Sequence, residues 1–351
     1  MTLKKALEHS KSISFKAEVL GEGAWHQAWK LTSEQHKPFV LRIPKKIAYK
    51  KEVSFDESAL RAEYGGTEIY YRSVNQVVSG AAPEMFVYHV SKELTYTLES
   101  FAGNHVNLHK LNKDDAQQLG EEIGQLYRKV EQVDHGLEGF GYLTWNEDKG
   151  LHGLFLSDFE AFIEEECQEV LDDYNELSTK RPLFDNSDLK ETIKKISETR
   201  LTVITHPVLT NQDASPENWL LDNGQIRLID PLPILYFGEV MAGNFINLYE
   251  TLFVELSHTE RYKKHRFHEC KETLQSIANG FIQGYCGQNS ELISILRGEQ
   301  LLQVLDLAVS HVRMLEEGLK EEQIIRYGAK EDVEERLTVF YKKLIDLQKF
   351  I

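Results

Sequence analysis

The chain has 351 residues, with 40 Lys and Arg against 56 Asp and Glu, so its formal net charge is −16. This acidic balance argues against partners such as nucleic acids or anionic membranes, and it would suit a cationic small substrate. A hydrophobic content of 41% is enough for a sizeable core, and the length suits one two-lobed domain or two ordinary domains.

The cysteines point to a reducing compartment. Cys167, Cys270 and Cys286 lie far apart and form no C-x-x-C pair, which indicates free thiols rather than a disulfide framework or a zinc site. The N-terminal residues lack the apolar stretch of a secretion signal, and no apolar run reaches the roughly 18 residues of a membrane span. We therefore expect a soluble, cytoplasmic protein.

Residues 12–45 read as three strands with a glycine-rich turn between the first two. The turn is Gly21-Glu22-Gly23-Ala24-Trp25-His26. Glycines in such a turn let backbone amides approach phosphate oxygens, because no Cβ stands in the way. Gly21 and Gly23 are therefore candidate nucleotide-binding residues. The alternative is that they serve the hairpin turn alone.

A helix and two more strands follow. The helix is predicted from Asp56 to Val74, and Gly65-Gly66 could break it, since each glycine costs a helix roughly 1 kcal/mol. The strands are predicted from Met85 to Val90 and from Leu94 to Leu98. The count so far is five strands around one helix, and we place a boundary near residue 102.

Beyond residue 102 the pattern becomes helical. Apolar residues recur at threes and fours from Leu111 to Val133, which predicts a core-facing helix. Ser157 and Glu160 have the spacing of a capping box that would open the next helix. From Asn244 to the end the chain is predicted to be helical.

The segment 205–233 contains a predicted hairpin. Asn223-Gly224 lies between two apolar runs, which is the strongest short-range hairpin signal, because both central positions of a type I′ turn need φ > 0. With this pair as the loop, Asp222 pairs with Gln225. Counting outward then places Asn218 opposite Ile229.

Three polar side chains converge if this register is right. Asn218 and Asp230 emerge together at the open end of the hairpin, and Asp213, on the preceding loop, can lie beside them. The turn chemistry thus predicts a base and a metal-binding pair in one place.

These residues carry a family resemblance. Asp213-Ala214-Ser215-Pro216-Glu217-Asn218, followed by Leu228-Ile229-Asp230, resembles the catalytic and metal-binding loops of the aminoglycoside phosphotransferase and choline kinase family, small-molecule relatives of the protein kinases. The resemblance implies an α+β, two-lobed protein-kinase-like fold. Its small, mainly antiparallel β N-lobe would span 1–102, and its larger, mainly helical C-lobe would span 103–351. The sequence departs from the family at Asn211, where a His usually stands.

The resemblance also implies roles for individual residues. Asp213 would be the catalytic base, and Asn218 and Asp230 would hold Mg²⁺. Arg42 stands where the kinases place a strand-borne lysine, so it would hold the α- and β-phosphates of ATP or GTP. Glu63, on the following helix, would be its ion-pair partner.

Other residues compete for two of these roles. Lys45 and Lys46 are alternative cations to Arg42, which could also be a surface residue of an edge strand. Glu57 and Glu68 are alternative partners for the cation.

Two further segments resemble parts of the family. The run Glu99-Ser100-Phe101-Ala102-Gly103 resembles its hinge, so Glu99 and Phe101 would lie at the nucleotide base. The segment from Gly139 to Gly153 resembles the loop that follows the first C-lobe helix in bacterial members.

The resemblance implies a phosphotransferase that moves the γ-phosphoryl group to a hydroxyl of a small molecule. The acceptor could be an antibiotic, an amino alcohol or a sugar-like compound, and the sequence does not indicate an oligomeric state. One alternative is a kinase-like protein that binds nucleotide but has lost turnover, with Asn211 as the sign of decay. Another is an unrelated scaffold in which the matches are accidental.

Overall fold

The computed structural model of the protein describes residues 3–23, 25–48 and 51–351. Its strands, in chain order, are β1 (Lys16–Glu22), β2 (His26–Thr32), β3 (Phe39–Pro44), β4 (Ile47–Ala48), β5 (Lys51–Glu52), β6 (Phe86–Val90), β7 (Thr95–Ser100), β8 (Asn104–His105), β9 (Phe140–Asn146), β10 (Gly150–Phe155), β11 (Val208–Asn211), β12 (Trp219–Asp222), β13 (Gln225–Leu228) and β14 (Pro233–Tyr236). Its α-helices are α1 (Leu3–His9), α2 (Glu57–Val77), α3 (Lys113–Val130), α4 (Phe159–Lys180), α5 (Ser187–Val203), α6 (Gly238–Asn247), α7 (Phe253–Glu255), α8 (Lys271–Cys286), α9 (Ser290–Glu317), α10 (Glu321–Tyr327) and α11 (Lys330–Leu347). Within these described ranges, no helix is long and apolar enough to cross a membrane.

The chain divides into two compact units. The first comprises Met1–Val106, Gln132–Leu156 and Asn211–Leu235, and the second comprises Asn107–Glu131, Ser157–Thr210 and Tyr236–Ile351. The first unit therefore takes in two segments from later in the chain. The predicted lobe division near residue 102 stays a prediction.

The first unit is built on a five-stranded sheet. Its strand order is β1-β2-β3-β7-β6, and each neighbouring pair is antiparallel. One apolar cluster of this unit consists of Ala6, Leu31, Leu41, Ile43, Leu94, Tyr96 and Leu98. Five antiparallel strands with the helix α2 are what the sequence predicted for this region.

Helix α2 runs unbroken through Gly65-Gly66, so the break considered above does not occur. The second glycine serves a close approach instead. A Cβ on Gly66 would lie 2.8 Å from Cδ1 of Leu143 on β9. Packing of the helix against this strand therefore uses the position where no side chain stands.

The hairpin of β12 and β13 has the predicted register. Asp222 pairs with Gln225, and the amide of Ile229 donates to the carbonyl of Asn218 at 3.0 Å. Asn223 and Gly224 have φ values of 52° and 83°, the two positive angles that a type I′ turn requires. The turn chemistry alone was sufficient to set this register.

The segment after α3 that resembles a family loop contains a hairpin. Strands β9 and β10 pair antiparallel, with Trp145 opposite Leu151. The side chain of Asn146 accepts hydrogen bonds from the amides of Asp148 and Lys149, which closes the turn. This Asx-type turn allows the flanking apolar residues to pair, so the segment that resembles a family loop contains a hairpin that the sequence did not predict.

The second unit is helical, and α4 begins differently from the prediction. Its N-cap is Asp158 rather than Ser157: the Asp158 side chain accepts a hydrogen bond from the Ala161 amide, and Asp158 itself has φ 64°. Aspartate tolerates this left-handed conformation and caps as well as serine does. The main apolar cluster of the unit consists of Tyr174, Leu177, Phe184, Leu189, Ile193, Ile196, Leu252, Leu256, Leu301, Leu302, Val304, Leu305, Ala308, Val309, Val312, Leu337, Phe340, Leu344 and Leu347.

Helices α3 and α8 approach each other through glycines on both sides. A Cβ on Gly120 would lie 2.0 Å from the carbonyl oxygen of Ile277, and one on Gly280 would lie 1.9 Å from that of Gln117. Gly124 and Gly284 have equally close backbone neighbours, and we call these four residues the glycine interface. The two backbones touch directly, because none of the four positions carries a side chain.

Candidate active site

The loop that carries Asp213 is held by the buried side chain of Asn211. Its Oδ1 accepts hydrogen bonds from the amides of Asp213, at 3.2 Å, and Leu232, at 2.8 Å. Its Nδ2 donates to the carbonyl of Asp213 at 2.8 Å. One amide side chain thus ties the backbone around Asp213 to the segment that follows Asp230.

Asp213 is a half-buried carboxylate with donors on two sides. Its Oδ1 accepts from the Ser215 amide at 2.9 Å, and the side chain of Asn218 also hydrogen-bonds to it. Burial raises the pKa of Asp213 above its ordinary value and the charge of Asp230 adds to this, while the Ser215 and Asn218 hydrogen bonds oppose it. A raised pKa makes the carboxylate a better proton acceptor.

The hairpin brings Asn218 and Asp230 together, as its register predicts. The Nδ2 of Asn218 donates to the carbonyl of Asp230 at 3.2 Å. Asp230 has φ 51°, a left-handed conformation that aspartate adopts more readily than most residues. Its side chain is 61% exposed, so the carboxylate is open to a ligand.

The oxygen donors of this pair fit Mg²⁺ in character. Among the residues that the structure describes, no three His, Cys, Asp or Glu side chains gather as a metal site. Mg²⁺ needs only one or two protein carboxylates, because phosphate oxygens and waters complete its shell. The Asp230 carboxylate and the Asn218 amide oxygen are ligands of that kind.

Arg42 on β3 is a cation held in place by two ion pairs, and its side chain is 14% exposed. Its Nη2 and Nε lie 2.9 and 3.1 Å from Oε1 of Glu99, and its Nη1 lies 2.7 Å from Oδ1 of Asp230. Burial alone would lower the pKa of Arg42, but Asp230 and Glu99 outweigh it and raise that pKa. The guanidinium therefore stays charged and points in one direction.

The predicted pairing of Arg42 with Glu63 is wrong, because Glu99 takes that place. Arg42 lies opposite Thr97 in the sheet, which makes Glu99 its diagonal neighbour on the same face. Burial raises the pKa of Glu63 to about 7, with Asp230 adding to the shift and Arg42 opposing it, although the residue as a whole is exposed. Its predicted role at the nucleotide stays a prediction.

Two of the competing residues, Glu57 and Lys45, have other partners. Glu57 pairs with Arg61 one turn along α2, at 2.9 Å. Lys45 donates to the carbonyl of Gly23 at 2.9 Å and lies 3.6 Å from Glu22. Arg42 is therefore the cation that the fold directs at Asp230.

Tyr71 on α2 links the carboxylate of Glu99 to the backbone of Asp230. Its hydroxyl donates to Oε2 of Glu99 at 3.2 Å and accepts from the backbone amide of Asp230 at 2.9 Å. These contacts join four residues in a closed ring, which we call the site network: Arg42, Glu99, Tyr71 and Asp230. Sequence reasoning placed Tyr71 only on the helix and missed this contact.

A signal for the Arg42–Glu99 pair was present in the sequence. Each is the only charged residue of an otherwise apolar or neutral strand, Phe39–Pro44 and Thr95–Ser100. Buried charges require partners, so a lone cation and a lone anion on two strands point to each other. No comparable signal marks Tyr71.

The glycine-rich turn joins β1 and β2, which pair as a hairpin. The amide of Gly23 donates to the carbonyl of His26 at 2.9 Å. A Cβ on Gly21 would meet no described atom within 4 Å, so packing does not demand glycine there. Ala24 lies outside the described residues. The phosphate-binding role of Gly21 and Gly23 stays a prediction.

His26, at the end of this turn, is a further residue near the charges of the site. Its Nε2 lies 2.8 Å from the hydroxyl of Tyr64. Burial lowers the pKa of His26 to about 4, with Asp230 opposing the shift and Arg42 adding to it. The imidazole is therefore neutral at physiological pH and adds no charge beside the site network.

Two backbone amides of the predicted hinge have hydrogen-bond partners within the protein. The amide of Ser100 donates to the carbonyl of Met85 at 2.9 Å, and that of Phe101 donates to the carbonyl of Pro38 at 3.0 Å. The Phe101 ring lies under the ammonium of Lys30, 3.7 Å from its centroid. Contact of Glu99 and Phe101 with a nucleotide base stays a prediction.

Comparison with known proteins gives structural matches only. No family model matches the sequence, and no curated protein matches it. The solved structures it resembles include a thermostable mutant of aminoglycoside phosphotransferase APH(4)-Ia in ternary complex with ADP and hygromycin B, at 16% identity and a TM-score of 0.56, covering 99% of this chain and 97% of that one. Aminoglycoside phosphotransferase APH(2'')-Ib with ADP bound matches at 14% identity and a TM-score of 0.52, covering 98% and 99%.

A third match is a GDP complex of a mutant aminoglycoside 2'-phosphotransferase-IIIa, at 12% identity and a TM-score of 0.50, covering 98% of this chain and 96% of that one. All three alignments span nearly the whole of both chains, from the antiparallel sheet to the last helices. The predicted α+β, protein-kinase-like fold is therefore confirmed. The chain has the fold of the aminoglycoside phosphotransferases.

Proposed function

We propose that the protein is a phosphotransferase that moves the γ-phosphoryl group of ATP or GTP to a hydroxyl of a small molecule. The proposal rests chiefly on one observation: Asp213, Asn218, Asp230 and Arg42 lie in one compact unit, connected by direct contacts. A base, two oxygen ligands and a fixed cation are the groups that phosphoryl transfer needs.

Each group has one task in the reaction. Arg42 binds phosphate oxygens of the nucleotide as a charged, oriented donor. Asn218 and Asp230 would hold Mg²⁺, which when bound neutralises charge on the phosphates. Asp213 orients the acceptor hydroxyl and takes its proton while the new O–P bond forms. The bond from the γ-phosphorus to the bridging oxygen breaks, and the nucleoside diphosphate leaves.

The identities proposed for the nucleotide and for the acceptor have weaker support than the reaction itself. The structurally similar proteins were crystallised with ADP or GDP, so both ATP and GTP are candidate donors. One of them also binds hygromycin B. We propose an antibiotic, an amino alcohol or a sugar-like compound as the acceptor. The net charge of −16 favours cationic members of these classes.

A second candidate function is nucleotide binding without turnover, and it rests on Asn211. In the kinase family that the sequence resembles, the His at this position holds the loop and does not transfer the proton. Asn211 does the same here, since its amide has hydrogen bonds to Asp213 on both the donor and the acceptor side and a third to Leu232. These contacts favour the active enzyme over the impaired one.

We also propose a cytoplasmic location. Cys167, Cys270 and Cys286 are all buried free thiols, which suits a reducing compartment.

The experiment is a panel of hydroxylated acceptors, each tested for stimulated release of ADP or GDP in the presence of Mg²⁺. We expect Mg²⁺ with ATP or GTP to raise the melting temperature and at least one acceptor class to stimulate release. The Asp213→Asn variant should keep the thermal shift and lose the stimulation. Absence of a thermal shift with either nucleotide would overturn the proposal. A shift without stimulation by any acceptor would favour the binding protein.

A further inference from the structure

We propose that Tyr71 is a positioning residue that sets the backbone of Asp230 and so orients its carboxylate. The inference rests on the proposed function, because it assigns Asp230 to Mg²⁺. It concerns a residue that would touch neither the substrate nor the nucleotide. Tyr71 would act through its one hydroxyl, from a position on α2 that is 159 residues before Asp230.

The hydroxyl has one donor and one acceptor task, and both are filled. Its proton is donated to Oε2 of Glu99 at 3.2 Å, and its oxygen accepts from the amide of Asp230 at 2.9 Å. The backbone amide of Asp230 can only donate, so the proton of the hydroxyl is left for the carboxylate of Glu99. The direction of both hydrogen bonds is therefore defined.

The amide of Asp230 is where a backbone restraint matters most. Asp230 has φ 51°, a left-handed conformation that costs free energy even though aspartate adopts it more readily than most residues, so contacts that hold it matter. The flanking contacts are the Asn218 side chain on the carbonyl of Asp230 and Tyr71 on its amide. Together they hold the peptide groups on both sides of Asp230.

Tyr71 also connects this backbone to the cation. Glu99 is 2% exposed; its Oε1 forms an ion pair with Arg42, and its Oε2 accepts a hydrogen bond from Tyr71. Arg42 in turn contacts the carboxylate of Asp230. Removing the Tyr71 hydroxyl would leave Oε2 of Glu99 without this donor and the Asp230 amide without this acceptor. Two of the hydrogen bonds that hold the site network together would then be lost at once.

The test is Tyr71→Phe, which keeps the buried ring and removes only the hydroxyl. Tyr96→Phe is the matched control, because Tyr96 is a buried tyrosine of the same unit whose hydroxyl contacts His9 at 3.1 Å. Circular dichroism and melting first establish that both variants fold. Hydrogen exchange at the Asp230 amide is then measured in protein labelled with ¹⁵N-aspartate, without nucleotide. Binding of ATP is measured by calorimetry with and without Mg²⁺.

In Tyr71→Phe we expect exchange at Asp230 to become about tenfold faster and Mg²⁺-dependent ATP affinity to fall about fivefold to tenfold, the range that one hydrogen bond accounts for. Affinity for ATP without Mg²⁺ should change less than about twofold, and Tyr96→Phe should change neither quantity. Unchanged exchange at Asp230 would overturn the inference, as would equal losses of affinity with and without Mg²⁺. If the wild-type protein bound no Mg²⁺–nucleotide, the proposed function would fail, and the exchange result would still decide whether Tyr71 holds the backbone.

Discussion

The site network and the glycine interface are held together in opposite ways. The network uses directed contacts between polar groups: two carboxylates, a guanidinium and a hydroxyl joined at 2.7 to 3.2 Å. The glycine interface uses no side-chain chemistry, and helices α3 and α8 meet at bare backbone. In the site network, substitutions that preserve the shape of a side chain should therefore lower activity. In the glycine interface, substitutions that add volume should lower the stability of the fold.

The difference also concerns strain. In the network, Asp230 is held at φ 51° by its neighbours, which is a cost that a functional site can carry. At the interface each glycine lies inside a regular helix, where its cost is the roughly 1 kcal/mol of lost helix propensity, offset by the close packing it allows. The predictions below test this contrast, beginning with the largest expected effect.

Asp213→Asn tests the chemistry with almost no change of shape. We expect kcat to fall by at least about 100-fold, or about 3 kcal/mol of barrier, because the general base is lost. Nucleotide affinity should hardly change, and melting should stay close to the wild type. Steady-state kinetics with the acceptor identified by the panel is the measurement.

An alternative role for Asp213, as the cap of a turn, would give a different result. Its Oδ1 accepts from the Ser215 amide, so the residue also caps a turn, and Asn caps almost as well as Asp. Turnover near that of the wild type in Asp213→Asn would mean that the cap is its whole role.

Gly280→Ala tests volume with almost no change of chemistry. The new Cβ would lie 1.9 Å from the carbonyl oxygen of Gln117, and backbone cannot move aside as a flexible side chain can. We expect a loss of at least about 3 kcal/mol in the free energy of unfolding, measured by denaturant titration. Gly65→Ala is the control, because its nearest neighbours at 3.5 Å are side-chain atoms. It should cost less than about 1 kcal/mol or stabilise the helix. Equal effects of the two substitutions would remove the distinction between the regions.

Asp230→Ala tests the metal ligand. We expect stabilisation by Mg²⁺ and ATP, roughly 2.7 kcal/mol at a hundredfold excess over Kd, to disappear while the apo protein still folds. Asp230→Asn removes the negative charge but keeps the backbone conformation, since asparagine also tolerates the left-handed conformation. It should lose most of the Mg²⁺-dependent shift as well. An unchanged shift in both variants would remove Asp230 from the metal site.

Glu131→Gln tests a buried carboxyl of the second unit that lacks a complete set of partners. Its Oε2 accepts from Tyr285 at 2.7 Å, and its Oε1 meets no hydrogen-bond donor among the described residues. Burial raises the pKa of Glu131 to about 8, while Tyr285 and Arg128 oppose this and Glu239 adds to it.

The sign of the pH dependence follows from that raised pKa. Between the unfolded value near 4.5 and the folded value of about 8, the folded state holds a proton that the unfolded state has released, so stability falls as pH rises. Relative to Glu131→Gln, the wild type should lose about 2 kcal/mol between pH 6 and pH 7.5, at about 1.4 kcal/mol per pH unit. Urea titrations at several pH values give the comparison, and parallel curves would contradict the assignment.

Asn211→His should have the smallest effect. Asn211 already supplies the donor and the acceptor that hold the loop, so we expect turnover to change by less than about tenfold, or about 1.4 kcal/mol. A large gain of activity with His would show that the native loop is impaired. That result would favour the nucleotide-binding protein.

The parts of the site that the sequence predicted correctly are those encoded within a few residues. The Asn223-Gly224 turn determines which residues pair, and the pairing brings Asn218 beside Asp230. Strand and helix periodicity likewise located the five-stranded sheet and α2. The roles of these residues in catalysis and metal binding remain proposals that the experiments above test.

Errors arose where one local signal competed with another. The Ser157 and Glu160 spacing suggested a cap, but Asp158 is the residue whose side chain reaches the amide three positions on. The segment from Gly139 to Gly153 was matched only to a family loop, and its hairpin, with a turn closed by Asn146, was not predicted.

By itself, the amino-acid sequence determined the hairpin of β12 and β13, the five strands of the first sheet with α2, and the spacing of Asp213, Asn218 and Asp230, because turn chemistry and periodicity act over neighbouring residues. Only the tertiary structure decided that Arg42 pairs with Glu99 rather than Glu63. Several carboxylates were equally available along the chain, and the register of β3 on β7 selects one of them. The same holds for Tyr71 and for the glycine interface: a hydroxyl or a missing side chain has no preferred partner until the fold brings one within reach.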